Sequence, residues 1–191
     1  MKEYYIIVDG ASKYFDSQFF VENSIELKSL FKVPIESTLN VVSPKLSLQS
    51  IYSLDKSNIL LYLSGKAFFI ILEYHGDFEI IYNHFRRLII VENEDDFTKL
   101  YFRFYDPRVL RIFLPTCSAN QLEELFGPVD RFICEDEDAD FALVFSLSKG
   151  KLITEKTKWN ILFPIWVPNE NQASLTGHLP PNSVKALQPP K

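Results

Sequence analysis

Apolar positions along this chain fall into short unbroken runs separated by turn residues, with stretches of helical spacing between them. Tyr4 to Val8 is β-branched and aromatic and is stopped by Asp9-Gly10, a pattern that predicts a central strand covered on both faces. Ala11 to Asn23 is amphipathic but rich in Phe and Ser, and reads as a helix. Ile25 to Ser50 alternates weakly and is interrupted by Pro34 and Pro44, which predicts short extended pieces and turns. Asp55 is placed to cap a helix that carries Ile59, Leu60 and Leu63 and stops near Gly65, and Lys66 to Tyr74 reads as a second buried strand. Gly76-Asp77 then opens the most regular helix. Its Phe78, Ile81, Phe85 and Leu88 form one apolar stripe, while Glu79, Asn83, Arg86 and Arg87 lie on the other side.

Beyond the acidic turn Glu92 to Asp96, Lys99 to Tyr105 alternates. It predicts a strand with Leu100, Phe102 and Phe104 on one face and Tyr101, Arg103 and Tyr105 on the other. Asp106-Pro107-Arg108 marks a helix start, because Asp accepts from first-turn amides and Pro fits the first helical position. That helix runs to about Leu114 with Val109, Leu110 and Phe113 inward. Ser118 and Gln121 form a capping box for the next helix, whose stripe is Leu122, Leu125 and Phe126 and whose stop is Gly127-Pro128. Val129 to Cys134 reads as a strand, and Phe141 to Leu147 and Lys151 to Thr157 as a hairpin turning near Lys149-Gly150. The alternation of strands and helices predicts an α/β fold: a mixed sheet with packed helices in a single domain, 1–160, followed by a Pro-rich tail, 161–191. The last 24 residues hold five of the eleven prolines and three charges, and show no period of helix or strand.

Composition narrows the classes. At 191 residues with 47% hydrophobic content, one core is buried without staples. A net charge of −5 repels phosphate backbones, so nucleic acid is not expected as a partner. Cys117 and Cys134 lie in no zinc-ligand spacing and are read as reduced and buried. The run ending at Asp9 is too short for a signal-peptide core, and no apolar stretch approaches the roughly 20 residues of a spanning helix. The expectation is a soluble cytoplasmic protein without a membrane partner.

Few residues offer chemistry. Glu135, Asp136, Glu137, Asp138 and Asp140 can be read as a divalent-metal site or as a solvated turn. His75 and His84 lack an adjacent nucleophile in a recognisable context, and Gly10, Gly65 and Gly127 belong to no phosphate-binding pattern. No cofactor is expected. The arginines carry more information, since all six (Arg86, Arg87, Arg103, Arg108, Arg111, Arg131) fall between residues 86 and 131. Arginine suits bidentate carboxylate pairing and protein interfaces. Two readings stay open: a recognition cluster, or Arg103 paired with Asp106 or a nearby Glu, with Arg108 and Arg111 on a solvated helix face.

The run Leu100-Tyr101-Phe102-Arg103-Phe104-Tyr105-Asp106-Pro107-Arg108-Val109-Leu110-Arg111, with Phe113-Leu114-Pro115, Gln121 and Leu125-Phe126-Gly127-Pro128-Val129, closely resembles the signature of the type VI secretion adaptor family, the Tap or Tec effector chaperones. Tyr5 to Ala11 resembles the family's opening strand and turn, Ser43-Pro44-Lys45-Leu46 its internal Ser-Pro segment, and His84-Phe85-Arg86-Arg87-Leu88 the helix before the signature. The likeness covers about residues 4 to 135, and the chain is short between Asn23 and Ser43 by comparison.

The resemblance implies a non-enzymatic cytoplasmic adaptor. It would bind a cognate type VI effector and load it onto a VgrG-type spike during toxin delivery. Arg103 and Tyr105 on one strand face, with Arg108 and Arg111 on the adjoining helix, are then the expected partner-binding residues. Asp9, Gly10, Asp106, Pro107, Phe126, Gly127 and Pro128 are expected to serve structure. The alternatives are a small metal-dependent hydrolase using the acidic run with His75 or His84, and a structural subunit of the secretion apparatus.

Overall fold

The computed structural model describes residues 3–31, 44–47, 56–92 and 97–164. Its centre is a seven-stranded sheet of order β2-β3-β1-β4-β7-β8-β9. The strands are β1 (Glu3–Val8), β2 (Leu27–Ser29), β3 (Lys45–Ser47), β4 (Phe69–Tyr74), β7 (Arg131–Glu135), β8 (Phe141–Ser148) and β9 (Lys151–Lys158). A separate two-stranded pair is made by β5 (Ile90–Glu92) and β6 (Lys99–Tyr101). Around them lie α1 (Ser17–Glu22), α2 (Lys56–Leu63), α3 (Phe78–Leu88), α4 (Pro107–Phe113), α5 (Ala119–Phe126) and α6 (Trp159–Leu162), with a 3-10 turn at Leu114–Thr116.

The expected α/β architecture holds, with one correction. The sheet is antiparallel at every observed pairing rather than mixed. The runs at β1 and β4 are unbrokenly apolar because helices cover both faces of the sheet, and that burial does not require parallel neighbours. Tyr5, Ile7, Ile70, Leu72 and Phe132 face a core closed by Ile81 and Phe85 of α3, Leu110 of α4 and Leu125 of α5. Their chain neighbours Ile6, Val8, Phe69, Ile71 and Ile133 face a second core closed by Phe20 of α1, Leu63 of α2 and Trp159 of α6. Ile6, Ile7, Ile70 and Ile71 are wholly buried, each worth about 1.5–3 kcal/mol of transfer free energy. The core reaches Phe163, just past the expected domain boundary at residue 160. The expected Asp55 cap and the Pro-rich tail from residue 165 onward lie outside the described residues.

Most helix signals hold. Asp77, Asp106 and Ser118 each cap as read, Ser118 through a reciprocal box with Gln121. The Lys149-Gly150 turn takes positive φ at both residues, at 51° and 71°, the geometry that closes a tight hairpin. The alternating run Lys99 to Tyr105 is different. Only Lys99–Tyr101 is a strand, and it pairs with β5 outside the main sheet. The next residues leave the ladder and turn into α4, with Phe104 buried and the Asp106 amide bonded back to the Arg103 carbonyl at 3.0 Å. Period two thus marks an extended passage here, not a strand.

Topology explains what that passage does. Glu73 of β4 pairs with Arg131 of β7, so residues 75–130 leave the sheet and return to it at one end. The excursion crosses a whole face, and its turn at residues 102–106 reaches the opposite end, where Asp9 follows Val8 and where Glu135 closes β7.

Gly127 ends α5 at φ 52° and ψ −117°, a conformation that costs another residue about 1–3 kcal/mol. A β-carbon there would lie 2.3 Å from the ring of His84. That ring is buried, and its Nε2–H donates to the Leu125 carbonyl at 3.0 Å. Gly127→Ala is therefore expected to lower the melting temperature by roughly 5 °C or more, read by calorimetry. Burial pushes the His84 imidazole below its ordinary value, against the pull of the Leu125 carbonyl, with Arg87 lowering it further. The unfolded chain then binds more protons than the folded one as pH falls below about 6.5, so stability drops there. His84→Gln should show a smaller loss of melting temperature between pH 7.5 and 5.5 than the wild type does.

Candidate functional site

The far end of the excursion is held by charge. Arg103 Nη2 donates to Asp9 Oδ2 at 2.7 Å and lies 3.5 Å from Asp106 Oδ2. Arg108 donates to Asp106 through its backbone N–H at 3.0 Å, Nε at 2.9 Å and Nη2 at 2.8 Å. Asp106 thus caps α4 and grips the first residue beyond Pro107 in a two-toothed ion pair. Asp9 Oδ1 also accepts from the Ala11 amide at 3.0 Å, which fixes the turn through Gly10. Burial disfavours the Asp106 carboxylate, but the hydrogen bonds from Arg108 and the charge of Arg103 outweigh it and hold its carboxyl below the usual range.

Arg111 makes the second attachment. Its Nη1 donates to the Glu135 backbone carbonyl at 2.6 Å. The Glu135 side chain turns inward and accepts from the Gly65 amide and from the Ala67 amide, the latter at 2.6 Å. One residue therefore joins α4, β7 and the turn between α2 and β4. Burial lifts the Glu135 carboxyl above its ordinary range, with the two amides working against that rise.

The arrangement decides between the two readings of the arginines residue by residue. Arg103 has an internal carboxylate partner, Asp9, which the sequence reading did not name, as well as Asp106, which it did. Asp9 and Asp106 are 4% and 3% exposed, whereas the side chains of Arg103 and Arg108 stay 47% and 65% exposed. The carboxylates are hidden behind and the guanidinium groups remain at the surface. Tyr105 is a correction to the expected recognition face: its ring is buried, edge-on to Phe104 at 5.6 Å. It points inward because residues 102–106 form a turn and not a strand, and burial and the charge of Asp9 push its phenol pKa up. Phe126 is core, with its ring edge-on to Phe132 at 4.9 Å, and Gly127-Pro128 ends the helix as expected.

The acidic run does not converge. Glu135 is buried on backbone amides, Asp136 pairs with Lys156, and Asp138 accepts from the Asp140 amide at 3.2 Å. Among the described residues no group of three His, Cys, Asp or Glu side chains is placed to hold a metal ion. His75 lies exposed, 2.7 Å from Asp130, whereas His84 is buried on the Leu125 carbonyl. Cys117 and Cys134 are free; Cys134 is buried and its thiol is pushed up to about 12 by burial, while Cys117 is only half-buried. Among the described residues no helix is long and apolar enough to cross a membrane.

The sequence reading missed one surface feature. Ile112 is 75% exposed on α4, off the stripe of Leu110 and Phe113, and sits in a shallow groove with Arg108, Val109 and Thr116. An isoleucine one residue beyond Arg111, between two inward positions, is the signal that marks it.

If the Arg103–Asp9 bond fastens the excursion, the two residues should be energetically coupled. Asp9→Ala, Arg103→Ala and the double variant, compared by urea denaturation, are expected to give a coupling of about 1–2 kcal/mol. A coupling near zero would mean that the pair is incidental.

No curated protein and no solved structure matches the chain. Residues 4–124 match the model of a family described as Domain of unknown function (DUF4123), a span that holds Asp9, Arg103, Asp106, Arg108 and Arg111, and the chain belongs to that family.

Proposed function

We propose that this chain is an adaptor that binds a type VI secretion effector and delivers it to a VgrG-type spike. The family is in general associated with type VI secretion adaptors, and the signature from Leu100 to Arg111 resembles theirs. One observation carries the reading. The signature folds into a turn and a short helix on which Arg103 and Arg108 are fixed by buried carboxylates yet stay open to solvent, next to a 75% exposed isoleucine. Preorganised arginine beside apolar surface suits protein recognition, because little side-chain entropy is lost on binding. Asp9, Asp106 and Pro107 set where the arginines point. In this role the protein acts by holding and handing over its cargo, and it stays in the cytoplasm when the cargo leaves.

The test is co-expression with the effector and spike encoded beside it, followed by affinity purification and size-exclusion chromatography. A soluble complex with the effector is expected. Arg108→Ala is expected to weaken that complex about tenfold, the loss of one well-placed interface arginine. Recovery of neither partner with the wild-type chain would overturn the proposal.

A further inference from the structure

The groove on α4 does not end at Ile112. Phe113 lines it and also lines a second groove, with Phe102, Val91 and Leu125. That second groove shares Leu88, Val91 and Glu124 with a third hollow beside β5, where Ile90 is 42% exposed. The first two depressions are apolar and meet at Phe113, and the second opens at Leu88, Val91 and Glu124 into a more polar hollow between β5 and the outer side of α5, so one tract runs from α4 past the β5–β6 pair.

Its ends differ in charge. At the α4 end stands Arg108, 65% exposed and backed by the buried Asp106 carboxylate. At the other end Glu123 and Glu124 of α5 line the hollow together with Glu92 and Arg87, Glu92 lying across the β5–β6 pair from Lys99, while His84 there is buried and its pKa is lowered. A ligand therefore meets donors at one end, carboxylates at the other and apolar surface between them.

We infer that this tract is where the adaptor of the preceding section seats its cargo, and that the bound element is an amphipathic segment of the partner protein: apolar side chains over Ile112, Phe113 and Val91, acidic residues toward Arg108, and basic residues toward Glu123 and Glu124. The inference rests on the adaptor reading and adds the chemistry and polarity of what is bound. Opposite charges at the two ends set one direction for the segment, because the reversed orientation would put like charges together at both. The apolar centre supplies affinity, as partly exposed hydrophobic surface framed by charge does at protein interfaces.

The experiment uses the full chain and the purified effector encoded beside it, with affinity read by biolayer interferometry. Ile112→Glu and Ile90→Glu place charge in the tract. Val21→Glu and Ile161→Glu place it at residues 69% and 70% exposed on the helices of the opposite layer. The tract variants are expected to weaken binding tenfold or more and the other two less than twofold, with all four keeping the wild-type melting temperature. Arg108→Glu and Glu124→Lys should each weaken binding, more so at low salt than at high salt. If Val21→Glu or Ile161→Glu abolishes binding while Ile112→Glu leaves it intact, the cargo sits elsewhere: this inference fails and the adaptor reading stands. If both charge reversals leave affinity unchanged, the assigned polarity is wrong. If the wild-type chain binds neither effector nor spike, the adaptor reading fails and takes the inference with it.

Discussion

The Arg103–Asp9 ion pair is the constraint on which the rest of the surface depends. Residues 75–130 leave the sheet after Tyr74 and come back at Arg131, the same end, so backbone pairing anchors only one side of a long excursion. The apolar stripes of α3, α4 and α5 hold it to the sheet face, but hydrophobic burial is non-directional and does not fix where its far turn stops. A buried carboxylate does. Asp9 follows the buried end of β1, and leaving it without a cation there would be costly, so the turn is held where Arg103 can reach it. Asp106 lies 3.5 Å from the same guanidinium nitrogen, caps α4 and takes Arg108. The direction of α4, and hence of Ile112 and Arg108, follows from two carboxylates.

Glu135 plays the matching part at the end of β7, on the far side of β4 from β1. Its side chain satisfies the amides after α2, and its carbonyl receives Arg111. A helix on one face of the sheet and a turn leading from the other face thereby share one residue. Acidic residues at the ends of β1 and β7 join the layers, and the arginines of the excursion are their counterparts.

Local rules made much of this legible. Asp77, Asp106-Pro107 and Ser118-Gln121 each state a helix start in a few residues, and Gly127 states a stop, because caps are satisfied within one turn of chain. The buried strands were readable because apolar runs of that length have nowhere to go but inside. What escaped was non-local. Asp9 and Arg103 are 94 positions apart, so nothing in either neighbourhood announces the pair. Tyr105 looked like the outward member of an alternating strand, yet alternation describes only the extended backbone, and Asp106 bends the chain before a ladder can form. The run beginning at Glu135 looked like a solvated turn since charge runs normally are, and its first member is the exception because it is the last residue of a buried strand. The order of elements points to a mixed sheet, while strand direction is decided by where each excursion re-enters, and every observed pairing is antiparallel.

These features bear on function through a common logic: the carboxylates are spent on holding the scaffold, and the guanidinium groups and apolar side chains beside them face outward. On such a surface Arg103 and Arg108 are held in place before any partner binds, which suits the adaptor role we propose. The most direct test of that account is hydrogen–deuterium exchange of the chain with and without the effector proposed as its partner. The account predicts new protection in residues 89–92 and 99–116, with α1 and α6 unchanged. Protection confined to α1 and α6, with α4 exchanging as in the free chain, would contradict it.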